Sequence, residues 1–175
     1  MTTQVGFLRA VNVGKRTVAM PRLAEIVEEM GHTDVWTYIN SGNVVFEGSG
    51  SRASLESSIE AALEAAFGFE VTTFVRTAAE LRKVLELDPF TLADGDTYFV
   101  TFLKAAPSAD VARTLEDASN DFDTLEVHGR EVHWRMRGRS TDTTVKKSTW
   151  NLLGPTGSTS RNVNMLRKLV AKIDA

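Results

Sequence analysis

Apolar and polar positions along the chain switch between two periods, and the switches mark the elements. Residues 4–10 read as a strand: Val5 and Phe7 alternate with Gly6 and Leu8, and the turn formers Asn12 and Gly14 follow. Pro21 suits a first helical turn, where a missing N–H costs nothing. Leu23, Ile26, Val27 and Met30 then recur at helical spacing, and Gly31 stops the run. Residues 34–39 form a second expected strand, Ser41-Gly42 a short hairpin loop, and residues 44–47 a third strand. Ser51 caps the next helix, with Leu55, Ile59, Leu63 and Phe67 as its buried stripe and Gly68 at its end. Residues 69–76 make a fourth strand. The order is β-α-β-β-α-β, the split βαβ or ferredoxin-like arrangement.

Thr77-Ala78-Ala79-Glu80 reads as a capping box opening a further helix through Leu81, Val84 and Leu85. Asp88-Pro89-Phe90 and Asp94-Gly95-Asp96 read as a linker. The same order then begins again. Residues 97–104 are rich in aromatic and β-branched residues, and Ser108 caps a helix holding Val111 and Leu115. Residues 124–127, the turn His128-Gly129 and residues 131–136 form a hairpin. Asp142 opens an expected helix to Leu153, stopped by Gly154-Pro155. No fourth strand is evident here, because residues 155–160 are short and polar. Ser158, Thr159 or Ser160 caps a last helix with the stripe Val163, Leu166, Leu169, Val170 and Ile173. The expected fold is α+β: tandem ferredoxin-like (βαββαβ, α/β plait) halves with a C-terminal helix. The halves span 1–92 and 96–175, a repeat inferred from pattern alone.

A chain of 175 residues with 42% hydrophobic and 25% charged residues fits one ordinary globular protein. The absence of cysteine excludes disulfides, a cysteine zinc site and a cysteine nucleophile. Met1-Thr2-Thr3-Gln4-Val5 has no signal-peptide character, and no run approaches the about 20 apolar residues of a membrane helix. The expectation is a soluble cytoplasmic protein with no membrane partner. The net charge of −3 hides an asymmetry. Residues 1–129 hold ten Lys and Arg against twenty Asp and Glu, and residues 130–175 hold ten against three. The basic last quarter either attracts phosphate or nucleic acid, or complements the acidic body within the fold or across a homodimer, and the second is favoured.

Phe7 to Lys15, Met20 and Gly31, then Thr33-Asp34-Val35 and Thr37-Tyr38-Ile39-Asn40-Ser41-Gly42-Asn43-Val44-Val45-Phe46, resemble the bacterial proteins catalogued as domain of unknown function 1697. Thr159 to Leu169 is similar to that family's closing motif. The chain departs from the family pattern at Ala10, where Gly is expected, and in lacking a second Gly after Gly14. It departs again at Val163, in place of Trp, and at Met165, in place of Thr. The resemblance implies an α/β fold of tandem ferredoxin-like repeats. It implies no activity, catalytic residue or cofactor.

In a ferredoxin-like half the ends of strands one and two and the start of strand three share one sheet edge, where the first helix also begins. Arg9, Asn12, Gly14, Lys15 and Arg16 would there face Asn40, Ser41 and Asn43. Backbone N–H groups, a glycine turn and cations suit a small anionic or nucleotide-like ligand. The plainer alternative is two structural turns with solvated cations, since neither a Walker loop nor a dinucleotide fingerprint is present. A second candidate is the basic C-terminal part, Arg135, Arg137, Arg139, Lys146, Lys147, Arg161 and Asn162, either as an anion or nucleic-acid surface or as the charged face of an edge strand. His32, His128 and His133 are too scattered for a metal site, with His133 placed on a strand surface. Ser41 lacks a nucleophile elbow. Phe7 and Phe46 make a poor RNA-stacking platform and fit the core better. Whether the protein is an enzyme stays open.

Overall fold

Antiparallel pairing on both sides of a central strand organises each half of the computed structural model, which describes residues 1–175. The chain divides into two compact units, Met1–Lys83 with Ile173–Ala175, and Val84–Lys172. The first unit contains β1 (Thr2–Leu8), α1 (Met20–Glu29), β2 (Thr33–Thr37), β3 (Asn43–Gly48), α2 (Arg52–Phe67), β4 (Thr73–Thr77) and the start of α3 (Ala78–Leu87). Its sheet has the order β2-β3-β1-β4, antiparallel throughout. Local chemistry sets the helix ends. Ser54 N–H donates to Ser51 Oγ at the start of α2, and Gly68 closes it in the left-handed conformation. Thr77 and Glu80 exchange side-chain and backbone bonds as a capping box for α3. Leu8, Val44, Phe46 and Val75 from the sheet pack with Leu23, Ile26 and Val27 of α1 and with Leu55, Ile59 and Leu63 of α2. Each such side chain contributes about 1.5–3 kcal/mol through burial.

Edge strand β4 is closed by carboxylates. The N–H groups of Thr73, Val75 and Thr77 donate to Glu60, Glu56 and Glu80 at 2.9, 2.9 and 2.8 Å. Donors at a sheet edge that would template another strand are thereby occupied. Glu56 is buried and its charge is met by Arg52 at 2.7 Å.

The second unit holds β5 (Thr97–Leu103), α4 (Ala109–Asp117), β6 (Asp123–His128), β7 (Glu131–Met136), the short α5 (Lys147–Trp150), β8 (Ser158–Asn162) and most of α6 (Val163–Asp174). Its antiparallel sheet runs β6-β7-β5-β8. The pairing registers of the two units correspond. Thr2 faces Gly48 and Phe7 faces Asn43, as Thr97 faces Met136 and Phe102 faces Glu131. Gln4 faces Thr77 and Leu8 faces Thr73, as Phe99 faces Asn162 and Leu103 faces Ser158. Leu8 N–H donates to Gly42 at 2.8 Å, and Leu103 N–H donates to Arg130 at 2.9 Å. Each fourth strand carries a buried arginine, Arg76 or Arg161, whose Nη1 donates to the carbonyl of the residue before it. In this register Phe7-Leu8-Arg9-Ala10 falls on Phe102-Leu103-Lys104-Ala105.

Several expected elements differ. The fourth strand of the second half exists as β8, formed by five residue pairs with β5 despite its polar sequence. Ser158, Thr159 and Ser160 therefore lie in a strand, and Asn162 caps α6 by accepting from Asn164 N–H at 2.8 Å. The expected helix from Asp142 to Leu153 is broken into a 3-10 turn at Ser140–Asp142, the four residues of α5 and a second 3-10 turn at Asn151–Leu153. Asp123 prevents a continuous helix. Buried at the start of β6, it accepts from Thr143 Oγ1 at 2.7 Å, from Trp134 Nε1 at 2.9 Å, and from both the N–H and hydroxyl of Thr144 at 3.1 Å. These bonds hold Thr143 extended, with ψ at 143°. Strands β1 and β2 end earlier than the apolar pattern implies, because Ala10 and Ile39 turn to positive φ.

Burial alone would push the Asp123 carboxyl up, but Thr143, Trp134, Thr144 and Asn120 together hold it below the ordinary carboxylate value. A depressed folded value means stability that is present above the unfolded value of about 3.9 and lost as pH falls through the folded one. Asp123→Ala is expected to cost about 3 kcal/mol at pH 7 in urea unfolding. That cost should shrink as pH falls below the unfolded value and through the depressed folded one, where the wild-type carboxylate is itself lost.

Candidate functional site

Two loops meet at the edge of the first sheet where β1 and β2 end and β3 and β4 begin. Beyond Leu8, Arg9 N–H donates to Thr72 at 2.9 Å, and the chain then makes a tight excursion back to α1. Ala10, Asn12 and Gly14 have φ of 53, 56 and 63°. Val11 and Val18 are buried and anchor this excursion in the core. Asn12 N–H donates to Arg16 at 2.6 Å, and Val13 bridges Arg16, which leaves Gly14 and Lys15 at the tip.

Asn12 joins this loop to the β2–β3 turn. Its Nδ2 donates to the Asn40 carbonyl at 2.7 Å, and its Oδ1 accepts from Val18 N–H at 2.9 Å. Within the turn, the fully buried Asn43 donates to the Tyr38 carbonyl at 2.8 Å and to Ser41 Oγ at 3.0 Å. Gly42 has φ of 88°, and a Cβ there would stand 2.7 Å from Val11 Cγ2 and 2.9 Å from Leu8 Cβ. Only glycine permits that approach. Ile39 is half exposed yet has φ of 50°, a strained conformation for a β-branched residue.

The structure thus brings Asn12 to Asn40 and Ser41 to Asn43. Asn12 and Asn43 spend their side chains on ties within the fold. Arg9 is half buried, while Gly14, Lys15, Asn40 and Ser41 are exposed. Arg16 is half buried with its guanidinium 5.0 Å above the Phe69 ring. Its Nε is sealed from solvent with no hydrogen-bond partner. The sequence offered a signal for this stack, an aromatic directly after the helix-ending Gly68, but Phe69 reads there only as the start of a strand. From residue 9 to 24 and from 35 to 46 there is no Asp or Glu, in a chain with 23 of them. The first helical turn of α1 likewise has no acid and no side-chain cap.

Arg161 and Asn162 belong to the second unit. Arg161 is buried in β8, donating to Thr159 Oγ1 at 2.8 Å and to the Ser160 carbonyl at 3.0 Å, and burial pushes its pKa down to about 10. Other arginines of the basic quarter face carboxylates: Arg137 pairs with Asp96, Arg139 with Asp142 and Arg167 with Asp88. His133 is wholly buried, which corrects its expected place on a strand surface. Its Nδ1 meets Tyr98 Oη at 2.5 Å, and burial, with His128 beside it, pushes it down to about 4. No group of three or more His, Asp or Glu residues is arranged to hold a metal. Phe7 and Phe46 have no exposed surface for stacking a base. No helix is long and apolar enough to cross a membrane.

If Asn12 ties the two loops, Asn12→Ala should cost about 2 kcal/mol, because the Asn40 carbonyl and the Val18 N–H both lose a partner. Hydrogen exchange would then show the Val18 amide losing protection before the amides of β1 and β3.

Comparison with known proteins is consistent with this architecture. A solved structure described as the conserved bacterial protein SP0830 from Streptococcus pneumoniae superposes with a TM-score of 0.79, covering 100% of this chain and 99% of that one. The sequence identity is 22%, so the likeness is one of fold. No curated protein matches the chain. A family model described as "Protein of unknown function (DUF1697)" matches residues 1–133, which include both loops of the candidate edge and stop short of Arg161 and Asn162. The chain belongs to the DUF1697 family of proteins of unknown function.

Proposed function

We propose that the protein binds a small anionic or nucleotide-like ligand at the edge formed by Arg9–Lys15 and Asn40–Asn43, with Arg16 as an additional anchor. Arg16 is the observation that carries this reading. A guanidinium stacked on an aromatic face is held in place, and its planar fork matches a carboxylate or phosphate. It stands in an acid-free stretch with Arg9 and Lys15. The uncapped start of α1 adds the positive end of a helix dipole. The exposed Val13 and Ile39 offer apolar surface beside the cations. The reading is one of binding, and the edge gathers no nucleophile with a base to carry a reaction.

We also propose that both units are ferredoxin-like repeats of one ancestral unit. The matching registers, the paired buried arginines and the recurrence of Phe-Leu-Arg/Lys-Ala support this. Nucleic-acid binding by the basic C-terminal part is the weaker reading, because Arg161 is buried and three further arginines already face carboxylates.

A thermal-shift series with inorganic phosphate, AMP and citrate tests the binding reading. A ligand at ten times its Kd should raise the midpoint of wild type by about 3–5 °C. Arg9→Ala, Lys15→Ala and Arg16→Ala should each reduce that rise. If none of the three probes stabilises wild type, the reading fails.

A further inference from the structure

We infer that the second unit carries its own binding site, for a carboxylate with a short aliphatic tail, in the cavity at the end of β5. The cavity has a volume of about 310 Å³, within the range of small-molecule pockets. Leu103 and Lys104 line it from the end of β5, Val111 from α4, and Leu152, Leu153 and Gly157 from the stretch before β8.

Its place in the fold is the first argument. Lys104 occupies beyond β5 the register position that Arg9 occupies beyond β1, each following the leucine whose N–H bonds the neighbouring turn. Each unit thus puts a cation at the corresponding edge of its own sheet. Around Lys104, however, the second unit has a hollow lined by apolar side chains.

The outer wall of this hollow is built, not loose. A Cβ on Gly157 would fall 1.7 Å from the Leu153 carbonyl oxygen, so the backbone doubles back on itself with no room for a side chain. Gly154 N–H donates to Asn151 at 3.0 Å and Gly157 N–H to Gly154 at 3.3 Å. The Trp150 ring packs 5.0 Å from Trp134, and Trp134 is itself bonded to Asp123. The segment leading into the wall is therefore fixed to β6 and β7.

The lining sets the ligand class. Leu103, Val111 and Leu153 offer only hydrocarbon, and Lys104 supplies the one positive charge. An aliphatic tail buries against the leucines and valine, while the carboxylate meets the lysine. Inorganic phosphate lacks the tail and an alcohol lacks the charge.

Titration calorimetry with octanoate, octanol and inorganic phosphate tests this, alongside methyl NMR of the Leu and Val side chains. Octanoate should bind wild type and shift the methyls of Leu103, Val111 and Leu153. Lys104→Met should weaken octanoate about fivefold and leave octanol unchanged. Val111→Trp, which fills the hollow, should weaken both tenfold or more, and Leu152→Trp at the exposed mouth serves if that variant does not fold. The proposal is overturned if octanoate fails to bind, if its methyl shifts fall elsewhere, or if phosphate binds at this site as well as octanoate does.

Discussion

Strand β1 pairs with β3 from Thr2 to Phe7 on one side and with β4 from Gln4 to Leu8 on the other, and β5 does the same with β7 and β8. A buried strand must place every backbone N–H and carbonyl, so this double pairing fixes the register of three strands at once. In the first unit it also fixes the geometry of the candidate edge. The end of β1, the end of β2 and the starts of β3 and β4 arrive at one edge, and the loops leaving them have to pack there. Gly42 against Leu8 and Val11, and Asn12 on Asn40, are consequences of that crowding. The positive φ of Ala10, Asn12 and Ile39 shows its conformational cost.

Crowding also separates the side chains that hold the edge from those that face outward. Asn12 and Asn43 read from sequence as ligand groups, because asparagine in a turn looks alike in both roles. In the fold their amides bond to Asn40, Val18, Tyr38 and Ser41. In the proposed reading, recognition falls to the cations Arg9, Lys15 and Arg16, and above all to Arg16 on its aromatic support. The same sorting holds in the second unit. There Arg161 is taken into the sheet, while Lys104 lines a cavity.

Signals confined to a few neighbouring residues were legible in the sequence. The capping box at Thr77 and Glu80, the caps at Ser51 and Ser108 and the stop at Gly68 appear where the pattern puts them. So does the convergence of the two N-terminal turns, which follows from element order and handedness. What stayed hidden depends on partners distant in sequence. Strand β8 reads as a polar loop because its strand character comes from β5, more than fifty residues earlier. The break in the helix expected after Asp142 comes from Asp123, and the burial of His133 follows from its place on a sheet covered on both faces. The correspondence between Phe7-Leu8-Arg9-Ala10 and Phe102-Leu103-Lys104-Ala105 also emerges only when the two registers are laid side by side.

The central claim is that the acid-free edge tied together by Asn12 is the anion site of the first unit. Amide NMR of labelled protein titrated with inorganic phosphate tests it most directly, since neither loop contains proline and every residue there reports separately. Saturable shifts concentrated in residues 9–18 and 38–43, and lost in Arg16→Ala, are the predicted result. Saturable shifts that leave both loops unmoved would contradict the account.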